Sequence, residues 1–103
     1  MKRDLNLPFL DPEGKKYGDV STLRDIVYGA LRAGVPADER STLTEKAKVF
    51  ELAMRVVAGG IIEVTADELK AITDRIPVVF ANPTVCIPAI RLLEQDYAEP
   101  SGG

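Results

Sequence analysis

The residues that first suggest chemistry are two adjacent glycines, Gly59 and Gly60, in the stretch VVAGGIIEV. A phosphate-binding loop places several glycines before the N-terminus of a helix and supplies a lysine to the phosphate groups. Gly59 and Gly60 instead follow a helical pattern, precede a short apolar run at residues 61–64, and have no Lys-Ser or Lys-Thr pair after them. We therefore interpret the two glycines as the end of a helix, with a positive φ angle at Gly59.

A nucleophile with an activating base is the second kind of site to consider. The chain has no histidine, so a serine or cysteine nucleophile would depend on a lysine or a carboxylate as its base. The single cysteine, Cys86, lies in the apolar run PTVCIPAI, which favours an inert buried thiol. Because no complete set of acid, base and nucleophile is visible, we predict that the protein is not an enzyme and assign no catalytic residues.

Two pairs of adjacent carboxylates, Asp38-Glu39 and Asp67-Glu68, are candidates for binding a hard cation. Both pairs fall in a link or in the first turn of a helix, where acids are common because they interact favourably with the helix dipole. A zinc cluster lacks its usual ligands in a chain with no histidine and one cysteine. We therefore predict no metal site, no cofactor-binding residues and no cofactor.

The charge distribution bears on nucleic-acid binding. The net charge is −3; residues 1–57 carry 10 basic and 9 acidic side chains, whereas residues 58–103 carry 3 basic and 7 acidic ones. The second half would therefore repel a phosphate backbone. A helix-turn-helix would use ADELKAITDRI as its recognition helix, yet that segment contains more acids than bases. Nucleic-acid binding is disfavoured, and a weak DNA-binding transcriptional regulator is kept as the alternative function.

Length and composition predict one globular domain. The chain has 103 residues, of which 46% are apolar and 28% charged, as in ordinary globular proteins. We assign the domain to residues 1–96 and a frayed C-terminal tail to residues 97–103. Residues 76–93 come closest to a membrane span, but three prolines interrupt them and favour a core segment. With no signal-peptide pattern and one cysteine, the chain is expected in the reducing cytoplasm.

Two short strands are predicted from the apolar pattern. Leu5, Leu7 and Phe9 alternate with polar residues and Pro8, which is typical of an edge strand. The turn sequence DPEG follows, and residues 15–17 could return antiparallel to the first strand. The run at residues 61–64 is a strand that could pair with the N-terminal one.

Helix starts are marked by three threonines. Thr22, Thr42 and Thr65 are each followed by an acid three residues later, as in a capping box. We expect Gly34 to end the first helix and Pro77 to end the third. In the second helix, the residues expected to share the buried face are Leu43, Ala47, Phe50, Ala53, Met54 and Val57.

The start of the last helix is ambiguous. Asn82 and Pro83 resemble an N-cap followed by proline at the first helical position, but Pro88 would then lie inside the helix. We therefore place the start nearer Ile87. The fold class is α+β: a mainly helical single domain with about four helices and a small antiparallel sheet of two to three strands.

Four segments carry a family resemblance: LNLPFLDPEGK, TLRDIVYGALRA, ELAMRVVAGGIIEVTADELKAI and AIRLLEQ. In this order they resemble small uncharacterised proteins of tailed bacteriophages and prophages. The resemblance implies a non-enzymatic protein in the cytoplasm of the bacterial host cell. Such a protein would bind a host or phage protein as an inhibitor, adaptor or assembly factor. The resemblance implies no catalytic residues.

The apolar C-terminal region is the candidate partner-binding surface. Its residues are Val78, Val79, Phe80, Val85 and Ile87. If the core does not take up all of these side chains, they form a patch that binds a partner or a second copy in a homodimer. The alternative is that they fill the core, since a short domain needs nearly every apolar side chain.

Overall fold

The computed structural model describes residues 1–97, which form four α-helices, one short 3₁₀ helix and two short strands. In chain order these are β1 (Lys2–Asp4), α1 (Leu23–Arg32), the 3₁₀ helix (Pro36–Arg40), α2 (Leu43–Ala58), β2 (Ile61–Glu63), α3 (Ala66–Val79) and α4 (Pro83–Glu94). The prediction of a mainly helical α+β fold with four helices is confirmed. Of the predicted tail, only Tyr97 lies within the described residues, and its N–H donates to the carbonyl of Lys2.

The sheet consists of β1 and β2, paired antiparallel with Arg3 opposite Ile62. The predicted strand at residues 5–9 is wrong, because the segment that pairs with β2 is β1, which lies before that alternation. The carbonyls of Leu5 and Leu7 accept the N–H groups of Arg24 and Leu23 instead. The first N–H groups of a helix need such acceptors, so this segment caps α1 rather than extending the sheet.

The turn after this segment is confirmed, since the N–H of Gly14 donates to the carbonyl of Asp11 at 2.9 Å. The returning segment, residues 15–17, does not form a third strand. Lys16 makes only an isolated antiparallel bridge with Leu10. The sheet formed by residues 1–97 therefore has two strands.

Side-chain caps fix the starts of the helices. The hydroxyl oxygens of Thr42 and Thr65 accept the N–H groups three residues later, each at 3.1 Å. The carboxylate of Glu68 in turn accepts the N–H of Thr65 at 2.9 Å, which completes a reciprocal cap. At α1, the carboxylate of Asp25 accepts the N–H of Thr22 at 3.2 Å. All three predicted helix starts are confirmed.

The ends of the helices differ from expectation. Helix α1 ends at Arg32, two residues before Gly34, and α3 continues past Pro77 to Val79. Helix α4 begins at Pro83 with Asn82 as its cap and contains Pro88. A proline inside a helix removes one hydrogen bond. In α4, the packing of four buried side chains outweighs that loss; they are Val85, Cys86, Ala89 and Leu93.

Helix α1 lies at the centre of the core. Both α2 and α3 pack against it, and α4 packs mainly against α3. Five of its side chains are buried: Leu23, Ile26, Val27, Ala30 and Leu31. Gly29 allows the ring of Phe80 to approach this helix, because a Cβ at that position would lie 3.0 Å from the ring.

The buried face of α2 is not the predicted one. Of the predicted residues, only Ala53 is buried; the buried side chains of this helix are Leu52, Ala53 and Val56. Helix α2 is apolar on two arcs of its surface, and α1 contacts the arc that holds Leu52 and Val56. The other apolar arc is exposed.

Candidate functional site

An open groove lies between the 3₁₀ helix, the first half of α2 and the second half of α3. Helices α2 and α3 each pack against α1 and make few contacts with one another, which leaves a volume of about 480 Å³. The apolar residues that line the groove are Val35, Pro36, Ala37, Val49, Ala71 and Val78. The polar ones are Asp38, Ser41, Glu45, Asp74 and Arg75.

The Asp38–Arg75 ion pair joins two walls of the groove. Arg75 of α3 is only 9% exposed, and its Nη1 donates to Oδ2 of Asp38 in the 3₁₀ helix at 3.2 Å. Its Nη2 contacts the other carboxylate oxygen, so the pair is bidentate. The same carboxylate accepts the N–H of Val35 at 3.1 Å. These bonds hold the 3₁₀ helix against α3 and so set the width of the groove.

The pKa of Asp38 is lowered from its ordinary value. Burial raises this pKa, but the hydrogen bond and charge of Arg75, the N–H of Val35 and the charge of Lys46 together outweigh burial. Asp38 is therefore ionised at neutral pH and attracts the guanidinium group of Arg75. A carboxylate and guanidinium bound to one another in this way serve to position the chain rather than to transfer a proton.

The rim of the groove is acidic. Glu45 and Asp74 lie on it, and Arg75, which lines the groove, is already paired with Asp38. Nζ of Lys70 contacts Asp74 at 2.8 Å, and this hydrogen bond raises the pKa of Lys70. Because Asp38 and Asp74 are both paired with cations, Glu45 is the carboxylate at the edge of the apolar lining that is placed to meet a basic residue.

The structure separates the five residues predicted to bind a partner. Val78 is exposed and lines the groove, and Ile87 is exposed on α4. Val79 and Phe80 are half-buried, and Phe80 packs against the core. Val85 is buried in the core. Val78 is thus the one of the five that coincides with the groove.

A second apolar surface, which the sequence reasoning assigned to the core, runs along α2. We call it the α2 stripe; its residues are Leu43, Ala47, Phe50, Met54 and Val57, all exposed. Leu43 is 84% exposed and Phe50 is 64% exposed. The signal that could have revealed it is the number of apolar residues in α2, since one packed face cannot bury all of them.

Gly59 and Gly60 form the corner between α2 and β2. Their φ angles are 84° and 77°, and the N–H of Gly59 donates to the carbonyl of Val56 at 3.0 Å. The carbonyl of Gly60 accepts the N–H of Leu5, which attaches the corner to the N-terminal segment. The interpretation of these glycines as a helix end with positive φ is confirmed.

The remaining candidates from the sequence are the cysteine, the basic residues of α2 and the clustered carboxylates. Cys86 is buried. Arg55, one of the basic residues of α2, donates to the carbonyl of Glu63 at 3.0 Å and pairs with Glu68. Within residues 1–97, no three side chains of the types His, Cys, Asp and Glu come close enough to hold a metal ion.

No helix formed by residues 1–97 has both the length and the apolar character needed to cross a membrane. No protein-family model matches the chain, and no curated protein or solved structure shows significant similarity to it.

Proposed function

We propose that this protein is a non-enzymatic binding module that receives a segment of another protein in the groove between the 3₁₀ helix, α2 and α3. The observation that carries the proposal is the groove itself: about 480 Å³ of open volume with a mostly apolar lining, held by a bidentate ion pair. A volume of this size accommodates one or two apolar side chains of a partner.

The rim supports a particular chemistry for the partner. Glu45 borders the groove, and Asp74 is already paired with Lys70, so a partner segment with an aliphatic or aromatic anchor and a lysine or arginine opposite Glu45 is complementary to it. Charges at such a rim contribute mainly to specificity and association rate, while the buried anchor supplies most of the affinity.

The resemblance to phage and prophage proteins suggests where the protein acts and what kind of partner it binds. The partner is then a host or phage protein in the bacterial cytoplasm, and this protein acts on it as an inhibitor, adaptor or assembly factor. A small binding module needs a surface rather than a catalytic site. In the groove, the bidentate Asp38–Arg75 ion pair organises that surface.

Affinity capture from bacterial lysate tests the proposal with a matched pair of variants. Val78→Asp puts a charge into the groove, whereas Ile87→Asp puts one on an exposed apolar position of α4 that does not line it. Proteins retained by the unmodified chain and by Ile87→Asp, but lost with Val78→Asp, would support the groove. Retention should also fall with added salt, because the rim charges are exposed. Equal retention by Val78→Asp would overturn the assignment.

A further inference from the structure

The spacing of the α2 stripe is that of a coiled-coil seam. Leu43, Ala47, Phe50, Met54 and Val57 follow one another at intervals of four, three, four and three residues. In heptad terms, Leu43, Phe50 and Val57 occupy d positions, and Ala47 and Met54 occupy a positions. The stripe extends for roughly 21 Å along the helix axis at 1.5 Å per residue.

The stripe faces away from the core of its own domain. At about 100° per residue, its centre lies roughly 130° around the helix from the centre of the buried arc. All three buried residues of α2 lie in its second half, so the first half has no buried side chain. The exposed stripe is therefore accessible along its whole length.

The charges beside the stripe identify its occupant. Lys46 occupies the g position and Glu51 the e position of the next heptad, five residues later. In a parallel, in-register pair of helices, a g residue faces the e residue of the following heptad on the partner. Lys46 of each copy then faces Glu51 of the other. In an antiparallel pair, e residues face one another, and two copies of Glu51 would repel.

We propose that two copies of this chain associate through their α2 stripes as a parallel two-fold dimer, with Phe50 of each copy packed against the other at the seam. Identical surfaces related by a two-fold axis form a closed dimer. This inference goes beyond the proposed function, because the stripe and the groove lie on different parts of α2. Two heptads bury less than the roughly 800 Å² per partner of a standard interface, so we expect a weak association.

Size-exclusion chromatography with light scattering, from about 1 µM to about 1 mM, measures the association. The unmodified chain should change from monomer to dimer over this range, and Phe50→Asp should remain a monomer with an unchanged circular dichroism spectrum. The controls Ile87→Asp and Val78→Asp should dimerise like the unmodified chain, which separates this test from that of the groove. A monomer at every concentration, or a dimer unaffected by Phe50→Asp, would overturn the proposal.

A charge exchange tests the parallel arrangement. Glu51→Lys should weaken the dimer by about tenfold or more, since each of two attractive contacts becomes repulsive. Lys46→Glu should weaken it similarly, and the double variant Lys46→Glu, Glu51→Lys should restore the affinity. Thermal unfolding of each variant at low concentration confirms that the monomer is intact. A double variant no tighter than the single ones would refute the Lys46–Glu51 pairing.

Discussion

At the scale of single residues, Asp38 shows how a carboxylate can be fixed by three different donors. Arg75 supplies two of its contacts and the N–H of Val35 supplies the third. These interactions favour the ionised carboxylate, so they lower its pKa despite its partial burial. The bonds exist only in the folded chain, and their contribution to stability therefore depends on pH.

We predict the direction of this dependence. Because the folded-state pKa is lowered, the contribution of Asp38 is fully present above about pH 4, the ordinary pKa of an aspartate. It is lost as the pH falls through the folded-state value. Urea unfolding of the unmodified chain and of Asp38→Asn should differ at pH 7, and the difference should shrink as the pH is lowered below 4. Asp19→Asn, at an exposed position, is the control and should follow the unmodified chain.

At the scale of elements, the corner between α2 and β2 depends on backbone conformations that other residues rarely adopt. Gly59 has φ 84° and ψ −178°, a region that is essentially restricted to glycine. A Cβ there would lie 3.3 Å from Nη1 of Arg24, which a small movement of that exposed side chain relieves, so the cost of a side chain lies in the backbone conformation. The corner directs the chain from the end of α2 into the strand that pairs with β1.

Gly59→Ala should therefore lower the free energy of unfolding by about 1–3 kcal/mol. Gly34→Ala is the matched control, because Gly34 has no positive φ and no atom lies within 4 Å of a Cβ at that position. This control should be neutral or stabilise by up to about 1 kcal/mol. Chemical denaturation of both variants measures the two effects. Equal stabilities would show that the corner tolerates a side chain.

The two halves of α2 should differ in local stability. Leu52, Ala53 and Val56 anchor the second half, whereas the first half contacts the core through the half-buried Val49 and is otherwise held by its own hydrogen bonds and the Thr42 cap. In the monomeric variant Phe50→Asp, we expect backbone amides of residues 47–50 to exchange with deuterium faster than those of residues 53–56. Hydrogen exchange followed by NMR resolves these amides. Uniform protection along α2 would contradict this expectation.

Sequence pattern predicted helices better than it predicted what they touch. The threonine caps are local, so Thr42 and Thr65 could be recognised from residues three positions away. The buried face of α2 could not be recognised in this way, because both of its apolar arcs fit helical periodicity. Only tertiary packing decides which of the two arcs is buried. The helix boundaries predicted from Pro77 and Pro88 were wrong because tertiary packing outweighs one missing backbone hydrogen bond.

The candidate groove was predicted only in part. Val78 was one of the five residues predicted to bind a partner if the core did not take them up, but the other walls come from the 3₁₀ helix and α2. Asp38 and Arg75 are 37 residues apart in the chain, and no local pattern indicates that they pair. In the sequence, the link that contains Asp38 is a short polar connection. Asp38 forms the ion pair only because the fold places α3, which carries Arg75, beside this link.

At the scale of the whole molecule, Arg3 connects the two ends of the described chain. It is 4% exposed and donates to the carbonyls of Leu93 and Lys2 and to the carboxylate of Asp96. The sheet and the end of α4 are thereby held together through one side chain. A charged residue at the third position of the sequence gives no sign of this, because its partners belong to the last helix and the residues after it.

Arg3→Met should destabilise the fold by about 1.5–3 kcal/mol, since it removes charge-assisted hydrogen bonds while keeping most of the apolar stem. Asp96→Ala is the control for the ion pair alone. The side chain of Asp96 is 85% exposed, so its removal should cost no more than about 1 kcal/mol. Guanidinium unfolding curves measure both values. A larger loss for Asp96→Ala than for Arg3→Met would contradict the role assigned to the backbone carbonyls.

The burial of Arg3 also has a consequence for the order in which the protein is completed during synthesis. Its partners Leu93 and Asp96 lie 90 and 93 residues later in the chain. At about 5–20 residues per second, the ribosome adds them roughly 5 to 20 s after Arg3. Strand β1 can pair with β2 while translation continues, but Arg3 cannot reach its contacts with Leu93 and Asp96 until α4 and the residues after it have been made. Arg3 is therefore among the last of the described residues to reach its native contacts.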